Sequence, residues 1–113
     1  MPAPTHRIIV TIFVYNEGAK LAETLGRFPD DRNYDVLVVD DGSSDGAGEI
    51  VGKFPFAYLR HETNRGIGAA FRTAFEYAFE KGYEIFVPMA GNGKMHPSDI
   101  PALVDPILEG KFD

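Results

Sequence analysis

Residues 34–46 read YDVLVVDDGSSDG and give the strongest indication of the fold. The stretch is an apolar, β-branched run that ends in two carboxylates, Asp40 and Asp41, and a turn rich in glycine and serine. A strand buried on both faces of a sheet needs such a run, and a turn of this composition can lead directly into a helix. The pattern therefore predicts a strand over residues 34–39 and a short helix around residues 47–51, a unit typical of α/β proteins.

Strand and helix patterns alternate through the rest of the chain. The other strands are predicted over residues 7–14, 56–60 and 83–89. Pro29 is expected to end the first helix and Gly82 to cap the third, while Pro88 indicates a strand end or a sheet edge. The alternation predicts a three-layer α/β sandwich, in which a mainly parallel sheet of about four strands has helices on both faces.

Two of the predicted helices carry a clear apolar stripe. In the third helix, apolar residues at i, i+3, i+4, i+7 and i+8 predict one face packed against the core. They are Phe71, Ala74, Phe75, Ala78 and Phe79. The fourth helix follows a glycine-rich loop, and its stripe consists of Ile100, Leu103, Val104, Ile107 and Leu108.

Length and composition exclude several classes of protein. The 113 residues are enough for one domain and too few for two. The formal charge of -6 has the wrong sign for a general nucleic-acid binder, and the absence of cysteine excludes disulfides and thiolate metal sites. The longest apolar stretch is far shorter than the roughly 20 residues of a membrane-spanning helix, and no secretory signal pattern is present. We therefore expect a cytoplasmic protein with no nucleic-acid partner and no membrane span in this chain.

Polar loops follow all four predicted strands. Because the carboxyl ends of parallel strands meet at one edge of a sheet, these loops are expected to converge on one crevice. They comprise residues 15–17, 40–46, 61–68 and 91–96.

The loop at residues 40–46 has two interpretations. Asp40 and Asp41 could accept hydrogen bonds from a base or a ribose. Alternatively, the two carboxylates solvate the strand end while Ser43, Ser44 or Asp45 caps the following helix.

The loop at residues 61–68 also has two interpretations. Gly66 and Gly68 precede a helix whose amides could meet a phosphate, with Arg65 as a further partner. Phe71 stands where a dinucleotide-binding G-x-G-x-x-G motif needs its third glycine, so the glycines could equally serve a tight turn. The sequence context of His61 and of His6 suggests no more than surface positions for both.

Four segments together resemble the family 2 glycosyltransferases, which are inverting enzymes with a GT-A fold. They read IFVYNE, VLVVDDGSSDG, HETNRGIGAAFRTA and MAGNGKMHPSDIPAL, in the order and approximate spacing of that family. The chain looks most similar to the branch that transfers mannose or glucose to polyprenyl or dolichyl phosphate. The resemblance implies a nucleotide-diphosphate sugar as hexose donor and a lipid phosphate or a glycan as acceptor.

The resemblance also implies roles for individual residues. Tyr15 and Glu17 would lie against the nucleoside, and Asp40 or Asp41 would read the base or the ribose. Phe13 replaces a proline that is common in the family, a change expected to alter the strand exit more than the chemistry. Three further residues match the family's stretch beside the nucleotide and its phosphates, namely Asn64, Arg65 and Gly68.

The chain departs from the family in the loop after the fourth strand. Members usually have an Asp-x-Asp motif there, whose carboxylates hold a divalent cation, but alignment on His96 places Gly91, Asn92 and Gly93 on that motif. An amide oxygen and carbonyls make a much weaker Mg²⁺ or Mn²⁺ site than carboxylates, so the use of either metal as a cofactor stays open and no metal ligand is assigned. Lys94 could replace part of the metal's charge, or it could be a solvated loop lysine.

The resemblance covers only the N-terminal, nucleotide-binding part of the family's longer catalytic domain. We expect residues 1–113 to form one domain, with the catalytic base beyond Asp113 and the full-length protein at the inner face of the membrane. An uncovered sheet edge or core patch would favour self-association into a homo-oligomer.

Two alternative functions stay open. One is a non-catalytic nucleotide-sugar-binding or interaction module. The other is a nucleotidyltransferase, which needs a lysine-bearing glycine-rich loop after the first strand that the segment YNEGAKLAE does not provide.

Overall fold

The apolar runs form one parallel sheet in the computed structural model, which describes residues 7–90. The strands are Ile8–Val14 (β1), Asp35–Asp40 (β2), Ala57–Arg60 (β3) and Ile85–Ala90 (β4). They are parallel and lie in the order β3-β2-β1-β4. β1 has a neighbour on each side and helices above and below, which explains why its sequence IIVTIFV is apolar on both faces.

Three helices cover the two faces of this sheet. They are Gly18–Gly26 (α1), Ala47–Val51 (α2) and Ile67–Glu80 (α3). α1 and α2 pack on one face through Leu21, Leu25 and Val51, whereas α3 crosses the opposite face between β3 and β4. Within residues 7–90, every helix is too short or too polar to cross a membrane. The three-layer α/β sandwich expected from the sequence is confirmed.

The ends of the elements differ slightly from the prediction. β4 begins at Ile85 rather than Tyr83, because the Tyr83 amide donates to the Ala78 carbonyl and still belongs to the turn after α3. Gly82 has φ 77° in that turn, the left-handed conformation that often follows a helix. Pro88 lies on β4, at the edge of the described sheet. The loop at 91–96 and the predicted fourth helix lie outside the described residues.

The predicted core face of α3 is partly wrong. Ala74 and Ala78 are buried as expected, together with Ala70, but Phe75 is 52% exposed and Phe79 is 87% exposed. The alanines let the helix approach Ile9, Leu37 and Val39 of the sheet closely. The phenylalanines lie on the flank of the helix, where the Phe75 ring packs 4.6 Å from the ring of Phe86.

This close contact predicts a strong size limit at Ala74, which is fully buried. Ala74→Leu is expected to lower the free energy of unfolding by about 1–3 kcal/mol, because overpacking displaces the helix from the sheet. Glu76→Leu adds a leucine at an exposed position of the same helix and should change stability by less than about 0.5 kcal/mol. Urea unfolding of both variants tests the assignment, and equal effects would contradict it.

Candidate functional site

The loops after β1 and β2 are tied together by polar side chains. Asn16, at φ 51°, donates its backbone N–H to Ser43 Oγ at 2.9 Å, and its Oδ1 accepts the Ser44 amide at 2.8 Å. Asp45 Oδ2 accepts the backbone N–H of Gly18, the first residue of α1, at 2.9 Å. The alternative interpretation, in which Ser43, Ser44 or Asp45 caps α2, is therefore wrong. α2 begins without a side-chain cap, and Asp45 binds the N-terminus of α1 instead.

Asp40 is completely buried at the end of β2 and holds the following turn in place. Its Oδ1 accepts the Ser43 amide at 2.8 Å, and its Oδ2 accepts the Tyr58 hydroxyl at 2.5 Å. Burial raises the pKa of Tyr58, and the hydrogen bond to Asp40 raises it further, so the hydroxyl remains a donor. Arg60 completes the arrangement by donating from Nη2 to the Ser43 carbonyl at 2.9 Å. These contacts occupy both oxygens of Asp40.

Asp41 organises the loop that leads into α3. Its Oδ1 accepts the Arg65 amide at 2.8 Å and lies 2.7 Å from His61 Nδ1, while its Oδ2 accepts the Gly66 amide at 2.8 Å. Burial alone would raise the pKa of the Asp41 carboxyl, but these hydrogen bonds and the nearby imidazole outweigh it and hold the pKa below its usual value. Asp41 is thus an ionised carboxylate at neutral pH.

The expectation that His61 is a surface residue is wrong. His61 is only 7% exposed, and its two ring nitrogens contact Asp41 and Thr73 Oγ1, the latter at 2.7 Å. The contact follows from the sheet register. β2 and β3 pair Asp40 with Arg60, so the next residue of each strand exit, Asp41 and His61, are also neighbours. No sequence motif marks this pairing, and only the register of β2 against β3 could have indicated it.

A cleft of about 300 Å³ opens beyond the carboxyl ends of β1 and β2, beside the start of α3. Its apolar wall includes Phe13, Val39 and Ile67. Among the residues singled out from the sequence, the cleft brings together Tyr15, Glu17, Asp41 and Asn64. Asp40, Arg65 and Gly68 do not line it: Asp40 is buried in the turn, whereas Arg65 and Gly68 are exposed next to the cleft.

Glu17 provides an acceptor that no group in the described part of the chain uses. Its Oε2 atom is buried and has no hydrogen-bond partner among residues 7–90. A buried carboxylate oxygen without a donor is costly. Since Glu17 lines the cleft, a rotation of its carboxylate would bring this oxygen to a ligand hydroxyl or N–H and relieve that cost. Tyr15, which is 47% exposed, adds an accessible aromatic ring to the same cleft. The Tyr15 ring and the carboxylates of Glu17 and Asp41 together suit a ligand that has both a flat apolar face and hydroxyl or N–H donors.

No metal centre is present within the described range. Nowhere in residues 7–90 do three or more histidine, aspartate or glutamate side chains gather as they would around an ion. The loop that replaces the Asp-x-Asp motif, with Gly91, Asn92, Gly93 and Lys94, lies outside the described residues, as does His96.

Comparisons with known proteins agree on one family. The family model for glycosyl transferase family 2 matches residues 9–113. The undecaprenyl-phosphate mannosyltransferase of Micrococcus luteus is 36% identical over an alignment of 107 positions, gaps included, which covers 89% of this chain and 44% of the relative. The polyprenol monophosphomannose synthase of Mycolicibacterium smegmatis is 33% identical over an alignment of 114 positions, gaps included, which covers 95% of this chain and 43% of that protein. The chain thus spans less than half the length of these relatives.

A solved structure agrees with the fold. The mannosyltransferase of Pyrobaculum calidifontis, solved in complex with GDP-Man and Mn²⁺, superposes with a TM-score of 0.65 and 27% sequence identity. The superposition covers 81% of this chain and 30% of that structure. The parallel sheet with its strand-exit loops is therefore the N-terminal part of a GT-A fold. Because the family model extends over nearly all of the chain, from residue 9 to residue 113, the chain belongs to glycosyl transferase family 2.

Proposed function

We propose that the full-length protein transfers a hexose from a nucleotide-diphosphate sugar to a polyprenyl-phosphate or glycan acceptor, with inversion at the anomeric carbon. Residues 1–113 supply the donor-binding half in this proposal. The observation that carries it is the cleft beyond β1 and β2, which Tyr15 lines together with the carboxylates of Glu17 and Asp41. The relatives support it: one is named an undecaprenyl-phosphate mannosyltransferase, and the solved mannosyltransferase holds GDP-Man.

Four of the residues that line the cleft have a part in donor binding in this proposal. The Tyr15 ring packs against the base, a contact that buries an exposed aromatic face. Glu17 Oε2 and the remaining acceptor capacity of Asp41 receive hydrogen bonds from the ribose hydroxyls or from base N–H groups. Asn64 contributes a polar side chain at the mouth of the cleft.

The diphosphate extends from the cleft toward the start of α3 in this proposal. The exposed side chain of Arg65 and the backbone around Gly68 lie in that direction, and a guanidinium binds phosphate oxygens well. The amide ends of helices also favour anions. These two features give the diphosphate a positively polarised path away from the base.

Lys94 neutralises part of the charge of the departing nucleoside diphosphate in this proposal. A divalent cation would neutralise that charge in an Asp-x-Asp site, but the residues that align with the motif are Gly91, Asn92 and Gly93. Their amide and carbonyl oxygens fit a hard cation poorly because no carboxylate is among them. A lysine beside the leaving group stabilises the developing charge without a metal. The acceptor site and the carboxylate base belong to the part of the relatives' length that this chain does not cover.

Calorimetric titration with UDP, GDP and their glucose and mannose conjugates tests the donor site. We expect one nucleotide to bind with at least about tenfold preference, and we expect added Mn²⁺ to change its affinity by less than that factor. Tyr15→Ala should weaken binding about 5- to 100-fold through lost stacking on the base. Lys94→Ala should weaken the binding of UDP or GDP but not that of the corresponding nucleoside, uridine or guanosine.

The matched control is Phe79→Ala, which removes an exposed aromatic ring that does not line the cleft. It should leave the affinity unchanged. Absence of binding for all nucleotides, or equal losses in Tyr15→Ala and Phe79→Ala, would contradict the proposed donor site.

A non-catalytic nucleotide-sugar-binding module is the second candidate. The absence of aspartates at residues 91–93 favours it, because family members usually hold their metal there. The two candidates differ in turnover. A full-length protein that transfers labelled hexose to polyprenyl phosphate in vesicles is a transferase, whereas one that binds the donor and transfers nothing to lipid or to glycan acceptors is a binding module.

A further inference from the structure

His61 connects the second strand exit to α3 through both of its ring nitrogens. It follows β3 directly, and its backbone N–H donates to the Asp40 carbonyl at 2.9 Å. Its Nδ1 lies 2.7 Å from Asp41 Oδ1, and its Nε2 lies 2.7 Å from Thr73 Oγ1 on α3. His61 itself does not line the cleft, whereas its hydrogen-bond partner Asp41 does.

The neighbours of the imidazole determine which nitrogen carries the proton. An ionised carboxylate accepts hydrogen bonds and cannot donate them. Asp41 therefore requires a proton on Nδ1 of His61, and in the neutral ring Nε2 is then free to accept the Thr73 hydroxyl. This tautomer directs the stronger, charge-assisted bond to Asp41 and the weaker, neutral bond to Thr73.

The hydrogen bonds of Asp41 leave limited room for a ligand. Its two oxygens have about four acceptor positions. Oδ1 uses two of them for His61 and the Arg65 amide, and Oδ2 uses one for the Gly66 amide. The remaining position is the one available to a donor in the cleft that Asp41 lines. Its direction depends on the rotation of the carboxylate about the Cβ–Cγ bond.

We propose that His61 is a positioning residue of the donor cleft. By donating Nδ1–H to Asp41, it fixes the rotation of that carboxylate, so that Oδ2 keeps one acceptor position directed to the nucleotide. The same bond holds the Arg65 and Gly66 amides on the carboxylate and thereby keeps the cleft wall next to α3 in place. The inference rests on the proposed nucleotide site and adds a residue to which the family resemblance assigns no role.

Two substitutions separate the two hydrogen bonds of the ring. The amide nitrogen of asparagine can take the place of Nδ1, so His61→Asn keeps a donor for Asp41 and loses the contact with Thr73. The amide of glutamine reaches the place of Nε2, so His61→Gln keeps the contact with Thr73 and loses the donor. Each variant deletes one hydrogen bond of a buried residue. Because the bond to Asp41 is the stronger of the two, a purely structural role predicts a larger loss of stability in His61→Gln but similar nucleotide affinities in the folded forms of both variants.

The positioning role predicts different affinities for the two variants. In calorimetric titrations with the nucleotide that the unmodified chain prefers, His61→Asn should bind within about threefold of the unmodified chain, and His61→Gln should bind about tenfold or more weakly. Thr73→Val removes only the neutral bond and should resemble His61→Asn, which keeps the test decisive if His61→Gln does not fold. Equal affinities in His61→Asn and His61→Gln, or a tenfold loss in Thr73→Val, would overturn the proposal.

Hydrogen exchange provides a second readout that needs no nucleotide. The amide protons of Arg65 and Gly66 should exchange about tenfold faster in His61→Gln than in His61→Asn, because only the latter keeps the Asp41 carboxylate oriented toward them. If the unmodified chain binds no nucleotide, the proposed function fails. Hydrogen exchange then still tests whether His61 holds the Asp41 carboxylate in its orientation. Unchanged exchange at both amides in His61→Gln would refute the positioning role.

Discussion

Replacing Gly42 by alanine is expected to lower the free energy of unfolding by about 2–5 kcal/mol. Gly42 follows Asp41 at φ +82°, a conformation that an alanine adopts only with strain. A Cβ atom at this position would also lie 2.5 Å from the Asn64 backbone nitrogen and 2.5 Å from the Thr63 carbonyl carbon. Both are backbone atoms, so no side-chain rotation can relieve the clash.

The clash also has a functional consequence. Asn64 lines the cleft, and the Arg65 amide next to it is bound by Asp41. An alanine at Gly42 must push this loop away from the second strand exit, so we expect it to weaken nucleotide binding by about tenfold or more in any fraction that folds.

Gly46→Ala is the matched control for this substitution. Gly46 lies in the same turn at φ +81°, but a Cβ atom there would meet nothing within 4 Å. An alanine at this position would therefore have backbone strain but no clash, and the free energy of unfolding should fall by about 1–2 kcal/mol. Urea unfolding monitored by circular dichroism measures both variants. A Gly42→Ala variant as stable as Gly46→Ala would show that the two loops do not approach as closely as the structure has them.

The local features of the fold were predictable from the sequence. The β-branched run of β1 favours burial on both faces, and the residues Asp41 to Gly46 that follow β2 have the composition of a turn. Both elements were predicted within one or two residues. The side of α3 that faces the sheet was not, because alanines and phenylalanines both recur at helical spacing along it. Which of these residues face the sheet depends on the distance between the helix and the sheet, and tertiary packing sets that distance.

The candidate site was predictable only in outline. The strand-exit loops were expected to converge, and Tyr15, Glu17, Asp41 and Asn64 do meet in one cleft. The hydrogen bonds inside the site depend on how loops distant in sequence are aligned. Asp45, for example, binds the start of α1, 27 residues earlier in the chain, although it precedes α2 directly. The contact between His61 and Asp41 depends in the same way on the register of β3 against β2.

Asp41→Asn is expected to lower the free energy of unfolding at pH 7 by about 2–4 kcal/mol. The carboxylate of Asp41 accepts from three donors, which are His61 and the amides of Arg65 and Gly66. An asparagine of the same shape has one oxygen and one NH₂ group. At least one of the three donors would then face another donor in a buried position, and it would lose its partner without gaining water.

The effect of Asp41→Asn should depend on pH in a defined direction. The pKa of Asp41 in the folded chain lies below its usual value, and that of an unfolded aspartate is about 3.9. A group with a lowered folded pKa contributes stability that is fully present above the unfolded pKa and is lost as the pH falls through the folded pKa. The gap in stability between the unmodified chain and Asp41→Asn should therefore be constant from pH 7 to about pH 5 and should narrow below that.

A comparison with Asp31→Asn separates this effect from the general loss of a negative charge. Asp31 is exposed in the connection between α1 and β2, and its substitution changes the net charge by the same amount. The free energy of unfolding of Asp31→Asn should stay within about 0.5 kcal/mol of that of the unmodified chain between pH 7 and pH 5. If Asp41→Asn shows the same small, pH-independent effect, the hydrogen bonds to His61, Arg65 and Gly66 contribute no net stability. If instead the gap widens as the pH falls, the folded pKa of Asp41 is raised and its environment is not the one described here.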